Sequence, residues 1–217
     1  MTARFADRAA AGRELAQLLS ARPWPAPVVV LALPRGGVPV AAEIARALRA
    51  PLDLLLVRKI GAPWEPELAV AAIVDGTPPD LVIDEHTVSS GGVDRAYIEG
   101  EAQRELREIA RRRHVYLNDR APVPVQGCTA LVVDDGIATG TTVRAALRAL
   151  QRRAPARIVL AVPVASPDTL AELSGEVDEV VCPFQPSPFF AIGPHYGDFH
   201  QVPDREVIAA LAAARRP

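Results

Sequence analysis

The chain has 217 residues, of which 49% are hydrophobic, with 24 Lys and Arg against 26 Asp and Glu and a formal net charge of -2. That length suits one domain, or one domain with a sizeable insertion, and the apolar share allows a substantial core. The charge balance lacks the basic excess of a general nucleic-acid or acidic-membrane binder. Two cysteines, Cys128 and Cys182, are too few for a disulfide framework or a Cys-based zinc site and read as buried free thiols.

The N-terminal MTARFADRAAAGRELA is charged and has no continuous apolar stretch, so it does not read as a signal peptide. No apolar run approaches the roughly eighteen residues of a membrane span, and a cytoplasmic protein is expected. Asp7 to Ser20 predicts an amphipathic helix with Leu15, Leu18 and Leu19 inside and Arg8, Arg13 and Glu14 outside. After the stiff connector RPWPAP, VVVLAL (28–33) is a run of β-formers that suits a strand buried on both faces. PRGG is a turn, Val38 to Leu48 a helix, and LDLLLV (52–57) the next buried strand. This order predicts a right-handed crossover and parallel pairing.

RKIGAPWEPE (58–67) is expected as a loop, AVAAIV (69–74) and LVID (81–84) as shorter strands, and Val93 to Arg113 as a long charged helix. Ile98, Ala102, Leu106 and Ile109 share one face of that helix, and Glu108 precedes Arg112 by one turn. Strands then follow at 129–135, 157–164 and 179–182, with helices at Val143–Arg153, over PDTLAELS and at Val207–Ala214. The segment 183–203 is aromatic and Pro-rich. Alternating strands and helices predict an α/β fold with a central, mostly parallel sheet and helices on both faces. Ligands in such sheets sit at the carboxyl ends of the strands.

One such end reads LVVDDGIATGTT (131–142). A Gly-containing turn at a helix N-terminus presents backbone amides, and the helix dipole adds positive potential, so Gly136 to Thr142 can seat one phosphate. Thr139, Thr141 and Thr142 can add hydroxyl donors. The pattern is neither Walker A, which needs a Lys, nor GxGxxG. Alone it would be an ordinary strand-to-helix turn with an N-cap Thr. Asp134 and Asp135 shift that reading. Adjacent strand side chains point to opposite faces, but relaxed twist at the strand end would let both acids enter one crevice, where a ribose diol and the waters of a Mg²⁺ ion are their natural partners.

The stretch VVDDGIATGTT closely resembles the 5-phosphoribosyl-1-diphosphate (PRPP) motif of type I phosphoribosyltransferases. The resemblance covers about Val28 to Val164 and implies a single phosphoribosyltransferase-like domain, 1–217, with an inserted strand and helix segment at about 77–120 and a C-terminal hood at about 183–203. It implies that Gly136, Ile137, Ala138, Thr139, Gly140, Thr141 and Thr142 hold the 5′-phosphate. Asp134 and Asp135 would hold ribose, and Mg²⁺ through water or ribose. LALPRGGVPVA (31–41) looks like the family's pyrophosphate loop, with Arg35 as a fork of donors and Gly36 and Gly37 allowing close backbone approach. Arg58 and Lys59 precede what would be the family's mobile loop and suit the leaving pyrophosphate; a surface basic pair reads equally well there. Within that loop, Glu67 could hold Mg²⁺ or fix the loop.

The hood would cover the acceptor, with Phe189, Phe190, Tyr196 and Phe199 able to stack on a planar ring and His195, Asp198 and His200 to read its edges. Packing of the hood itself is the plainer role for most of these rings. Ala138 departs from the purine-salvage members, which carry an Asp there, and so disfavours a hypoxanthine–guanine type of substrate. The implied activity is Mg²⁺-dependent transfer of 5-phosphoribosyl from PRPP to a nucleobase-like acceptor with loss of pyrophosphate, placing Arg35, Lys59, Asp134 and Asp135 at the chemistry. A non-catalytic PRPP or nucleotide sensor and a hydrolase on the same fold stay open, as does a homodimer, because the family is often dimeric.

Overall fold

A computed structural model describes residues 4–25, 27–76, 78–118 and 120–214, with the side chain of Glu67 outside that description. The main sheet has five parallel strands: β1 (Val28–Ala32), β2 (Leu52–Leu54), β6 (Thr129–Val133), β7 (Arg157–Ala161) and β8 (Glu179–Val181), in the order β2-β1-β6-β7-β8. The pairing of β1 with β6 runs in register from Val28 opposite Thr129 to Ala32 opposite Val133. Both strands of that pair therefore end at the same edge.

The unbroken apolar runs follow from burial on both faces. Val30, Ala32, Leu131, Val133, Val159 and Ala161 enter one core, under α1 (Arg8–Ser20), α2 (Gly37–Leu48) and α7 (Asp204–Ala214). Val29, Leu31, Ala130, Val132, Ile158 and Leu160 enter the other, under α5 (Thr141–Gln151) and α6 (Pro167–Leu173). Each fully buried Val or Leu contributes about 1.5–3 kcal/mol. The alternation decides which face each residue beyond the strand ends will meet.

Two expectations about α1 change. Its buried stripe is Arg8, Ala11, Gly12, Leu15, Ala16 and Leu19, so Arg8 lies inside and Leu18, 41% exposed, lies outside. Asp7 caps the helix by accepting from the Ala10 amide at 2.6 Å. Cys128 and Cys182 are both free; Cys128 is buried and Cys182 half-buried, where burial pushes its thiol up to about 11.

The larger correction concerns 52–67. The run LDLLLV is two pieces: β2 stops at Leu54, and β3 (Val57–Ala62) belongs to a second sheet. That sheet is antiparallel, in the order β3-β4-β5, with β4 (Glu65–Val74) and β5 (Asp80–Ile83). The expected loop is thus a hairpin whose tip holds Pro63 and Trp64. Gly61 makes it possible, because a Cβ there would stand 2.7 Å from the Cα of Pro66. Trp64 is 55% exposed, with one ring edge against Gly91 at the end of α3 (Glu85–Gly91). The excursion from the main sheet begins at Val57, earlier than residue 77, and closes with α4 (Arg95–Leu117). Ile98, Ala102 and Ile109 are buried on α4 as the periodicity predicts.

Glu108 accepts from Arg111 at 2.7 Å and Arg112 at 2.8 Å, and these hydrogen bonds hold its carboxyl down at about 2. A depressed carboxyl adds stability above its ordinary value that is lost as pH falls toward the folded one. Because the group is largely solvated, Glu108→Gln should cost only about 0.5 kcal/mol at pH 7, with the difference shrinking between pH 4.5 and 2 and in high salt; urea melts across pH would check it.

Candidate active site

The turns after β1 and β6 lie side by side at the carboxyl edge of the sheet, joined by the Leu33 amide donating to Val133 O at 2.9 Å. Residues 34–37 pack directly on the acid pair. A Cβ at Gly36 would overlap Asp135 Oδ2 and stand 2.6 Å from its Cγ; one at Gly37 would stand 2.6 Å from Val133 O and 2.8 Å from Asp134 Cα. The glycines therefore serve first to let one turn sit on the other. The Gly37 amide donates to Leu33 O at 3.0 Å, which leaves the Arg35 and Gly36 amides and the Arg35 side chain as donors of this turn. Arg35 Nη1 lies 3.8 Å from Asp204 Oδ1 at the start of α7. Asp204 Oδ1 also accepts from the Tyr116 hydroxyl at 2.6 Å, and burial of that phenol, with this bond, pushes it up to about 12.

The two acids meet different neighbours, while their carboxyls stay within reach of each other. Asp134 lines the cavity beside α5 and also approaches Gly37, whereas Asp135 meets Gly36 and Arg8. Asp135 is 8% exposed, and its Oδ2 accepts from Arg8 Nε at 2.7 Å. Its backbone oxygen accepts from the Tyr196 hydroxyl at 2.5 Å. Burial, then the charge of Asp135, pushes the Asp134 carboxyl well above its usual range. Burial likewise raises Asp135, against the pull of Arg8.

Beyond the acids, a cavity of about 190 Å³ is lined by Asp134, Gly136, Ile137, Ala138, Thr139, Gly140, Thr141, Thr142, Val143 and Ile192. Gly140 caps α5 with φ 72°, and Thr139, Thr141 and Thr142 are exposed at its mouth. Ile137 has a structural part: its side chain is 2% exposed and its amide donates to Val164 O at 3.0 Å. The Ala138 carbonyl accepts from the Thr169 hydroxyl at 2.6 Å. Gly140→Ala would place a Cβ 2.8 Å from Thr169 Cγ2 at a positive φ; a loss of about 1–3 kcal/mol is expected in a denaturant melt, together with weaker anion binding.

Arg58 and Lys59 stand on β3, in the second sheet. Being adjacent on β3 they face opposite ways. Arg58 Nε pairs with Glu105 Oε2 on α4 at 2.5 Å. Lys59 lines a cleft of about 300 Å³ with Asp84, Thr87, Thr141, Thr142, Arg144 and Arg148, beside the start of α5.

In the hood, Tyr196 is 5% exposed and packs between Phe5 and Phe199, with ring centroids at 5.4 and 5.1 Å, so it cannot stack on an acceptor. Phe199 is covered on its other side by the Arg8 guanidinium, 4.0 Å from the ring centroid. Phe189 stacks on His195 at 5.5 Å. Phe190, 85% exposed, is left as the open ring. His200 is held between Asp198 and Glu206 at 2.8 and 2.9 Å, which raises its proton affinity.

The Phosphoribosyl transferase domain profile matches residues 5–198. The chain belongs to this family. Two Mycobacterium tuberculosis proteins, from strains H37Rv and CDC 1551, each named "putative phosphoribosyl transferase", are 45% identical over 212 residues, covering 98% of this chain and 47% of theirs. The chain thus spans about half the length of the curated relatives it matches. TT1426 from Thermus thermophilus has the same fold in a crystal structure, with TM-score 0.84, 42% identity and 96% and 97% of the two chains covered. The match reaches back to Phe5, consistent with the way this phosphoribosyl transferase domain uses its N-terminus. The Phe5 amide donates to His195 O at 2.9 Å, and the Gly197 amide to Phe5 O at 2.8 Å, so residues 4–6 complete the hood. Among the described residues no helix is long and apolar enough to cross a membrane.

Proposed function

We propose that this chain transfers the 5-phosphoribosyl group of PRPP to a nucleobase-like acceptor and releases pyrophosphate. The observation that carries this reading is the abutment of two glycine turns on neighbouring parallel strands, with Asp134 between a turn bearing Arg35 and an open-mouthed cradle at the start of α5. The cradle suits the 5′-phosphate, since amides and hydroxyls converge there with the helix dipole. Asp134, on the cradle wall, suits the ribose hydroxyls, and its negative charge favours the cationic C1 that forms as pyrophosphate leaves. Arg35 and the Gly36 amide suit the leaving group. Anchoring the remote phosphate orients C1 before reaction.

Asp134 also fits Mg²⁺, held through water or ribose: it stands on the cavity wall next to a second carboxylate, and Mg²⁺ commonly takes one or two carboxylates plus substrate oxygens. When bound, Mg²⁺ would neutralise the diphosphate oxygens. At the acceptor side, neither the methyl of Ala138 nor its occupied carbonyl can donate a proton, which favours an acceptor needing none from that position.

The test is pyrophosphate release from PRPP with Mg²⁺ against a panel of bases. Base-dependent release is expected, with hypoxanthine and guanine poor acceptors. Release without any base would favour water as the acceptor. Tight binding with no release on any acceptor would favour a regulator.

A further inference from the structure

Arg8 is a charged residue on the buried stripe of α1, and its contacts come from three separate places. Nε donates to Asp135 Oδ2 at 2.7 Å, Nη1 donates to His200 O at 2.8 Å, and the guanidinium plane lies over Phe199 at 4.0 Å. The Arg8 and Asp135 side chains are 8% and 11% exposed. An ion pair so far from water is kept only where its donors and acceptors are matched. The planar fork of arginine suits this, because one group reaches a carboxylate, a carbonyl and a ring face at once.

We propose that Arg8 is a positioning residue of the sugar site. It holds Asp135 from the α1 side, and so fixes the turn after β6 that carries both acids of the sugar site. The inference rests on the PRPP reading above. It makes α1 and the hood parts of the site: the same guanidinium ties the first turn of α1 to the end of the hood and to the strand bearing both acids. The opposite arrangement would be a latch, in which Arg8 withholds an acid that the ligand needs.

The experiment is calorimetric titration of PRPP, with Mg²⁺ present, into the wild type, Arg8→Gln, Arg8→Lys and Arg8→Ala, the last with and without added guanidinium, each checked for cooperative melting. Arg8→Gln is expected to weaken binding about 10- to 100-fold, the usual cost of losing a group that orients a ligand-binding side chain. Arg8→Lys should fall in between, and guanidinium should restore part of the affinity of Arg8→Ala. A merely structural arginine would lower the melting temperature of all three variants without guanidinium-dependent recovery of binding, and that result overturns the proposal. Tighter binding by Arg8→Gln overturns it in favour of the latch. Unchanged affinity in Arg8→Gln and Arg8→Lys overturns it while leaving the PRPP reading intact. A wild type that does not bind PRPP removes that reading, and this inference with it. Should Arg8→Gln not fold, Arg8→Lys decides.

Discussion

Gly36→Ala is expected to abolish PRPP binding and to lower stability by about 1–3 kcal/mol, as overpacking of a tight contact does. The backbone does not object: Gly36 has φ -59° and ψ -39°, which alanine adopts freely. The whole cost is contact. The new methyl would overlap the carboxylate of Asp135, which Arg8 holds from the other side and which cannot swing away without breaking a buried pair. Either the turn bearing Arg35 lifts off the acids or Asp135 is driven from Arg8, and both disassemble the proposed site. Calorimetric binding and a urea melt would read the two losses. Normal affinity in Gly36→Ala would mean that the two turns do not act as one site.

Asp134→Asn should separate function from stability. Asparagine keeps an oxygen for the Asp135 amide, which Asp134 Oδ1 accepts at 2.8 Å, but it loses the charge offered to ribose and Mg²⁺. Binding is expected to fall at least about 100-fold. Stability should move the other way. The Asp134 carboxyl is raised by burial and by the charge of Asp135. Between its ordinary value and its raised one, the folded protein holds more protons than the unfolded chain, so stability falls as pH rises through that window. Asparagine escapes this cost. The variant should therefore melt higher near neutral pH, by about 1 kcal/mol or roughly 2–4 °C, with the gain vanishing below the ordinary carboxylate range. A lower melting temperature at pH 7 would sink the view that this acid is retained at the expense of stability.

Particular residues mark where sequence reasoning held and where it failed. The five strands of the main sheet are legible because burial on both faces leaves unbroken apolar runs, and the turn into α5 is legible because Gly and Thr cluster where a strand meets a helix. The 58–67 hairpin was missed because Pro63, Trp64 and Pro66 resemble loop punctuation, while the pairing that makes Val57–Ala62 a strand is with residues up to Val74. Arg8 was placed outside by its charge. The signal lay in its spacing, since it continues the stripe of Ala11, Leu15 and Leu19. Tyr196 was offered to an acceptor because it is aromatic, yet its hydroxyl and ring are both spent inside the protein.

Local chemistry alone specifies a parallel α/β sheet, a Gly- and Thr-rich turn at Gly136–Thr142, a second glycine turn with Arg35, and two acids between them. These follow from periodicity and backbone preferences, which act over a few residues. What each acid touches is decided by packing across the whole chain. It depends on what covers each side of β6, with α5 and its cradle beside Asp134 and α1 with Arg8 beside Asp135. Arg8 and Asp135 stand 127 positions apart, and no local pattern relates them; the pair exists because the sheet order brings the first helix over the strand that carries both acids.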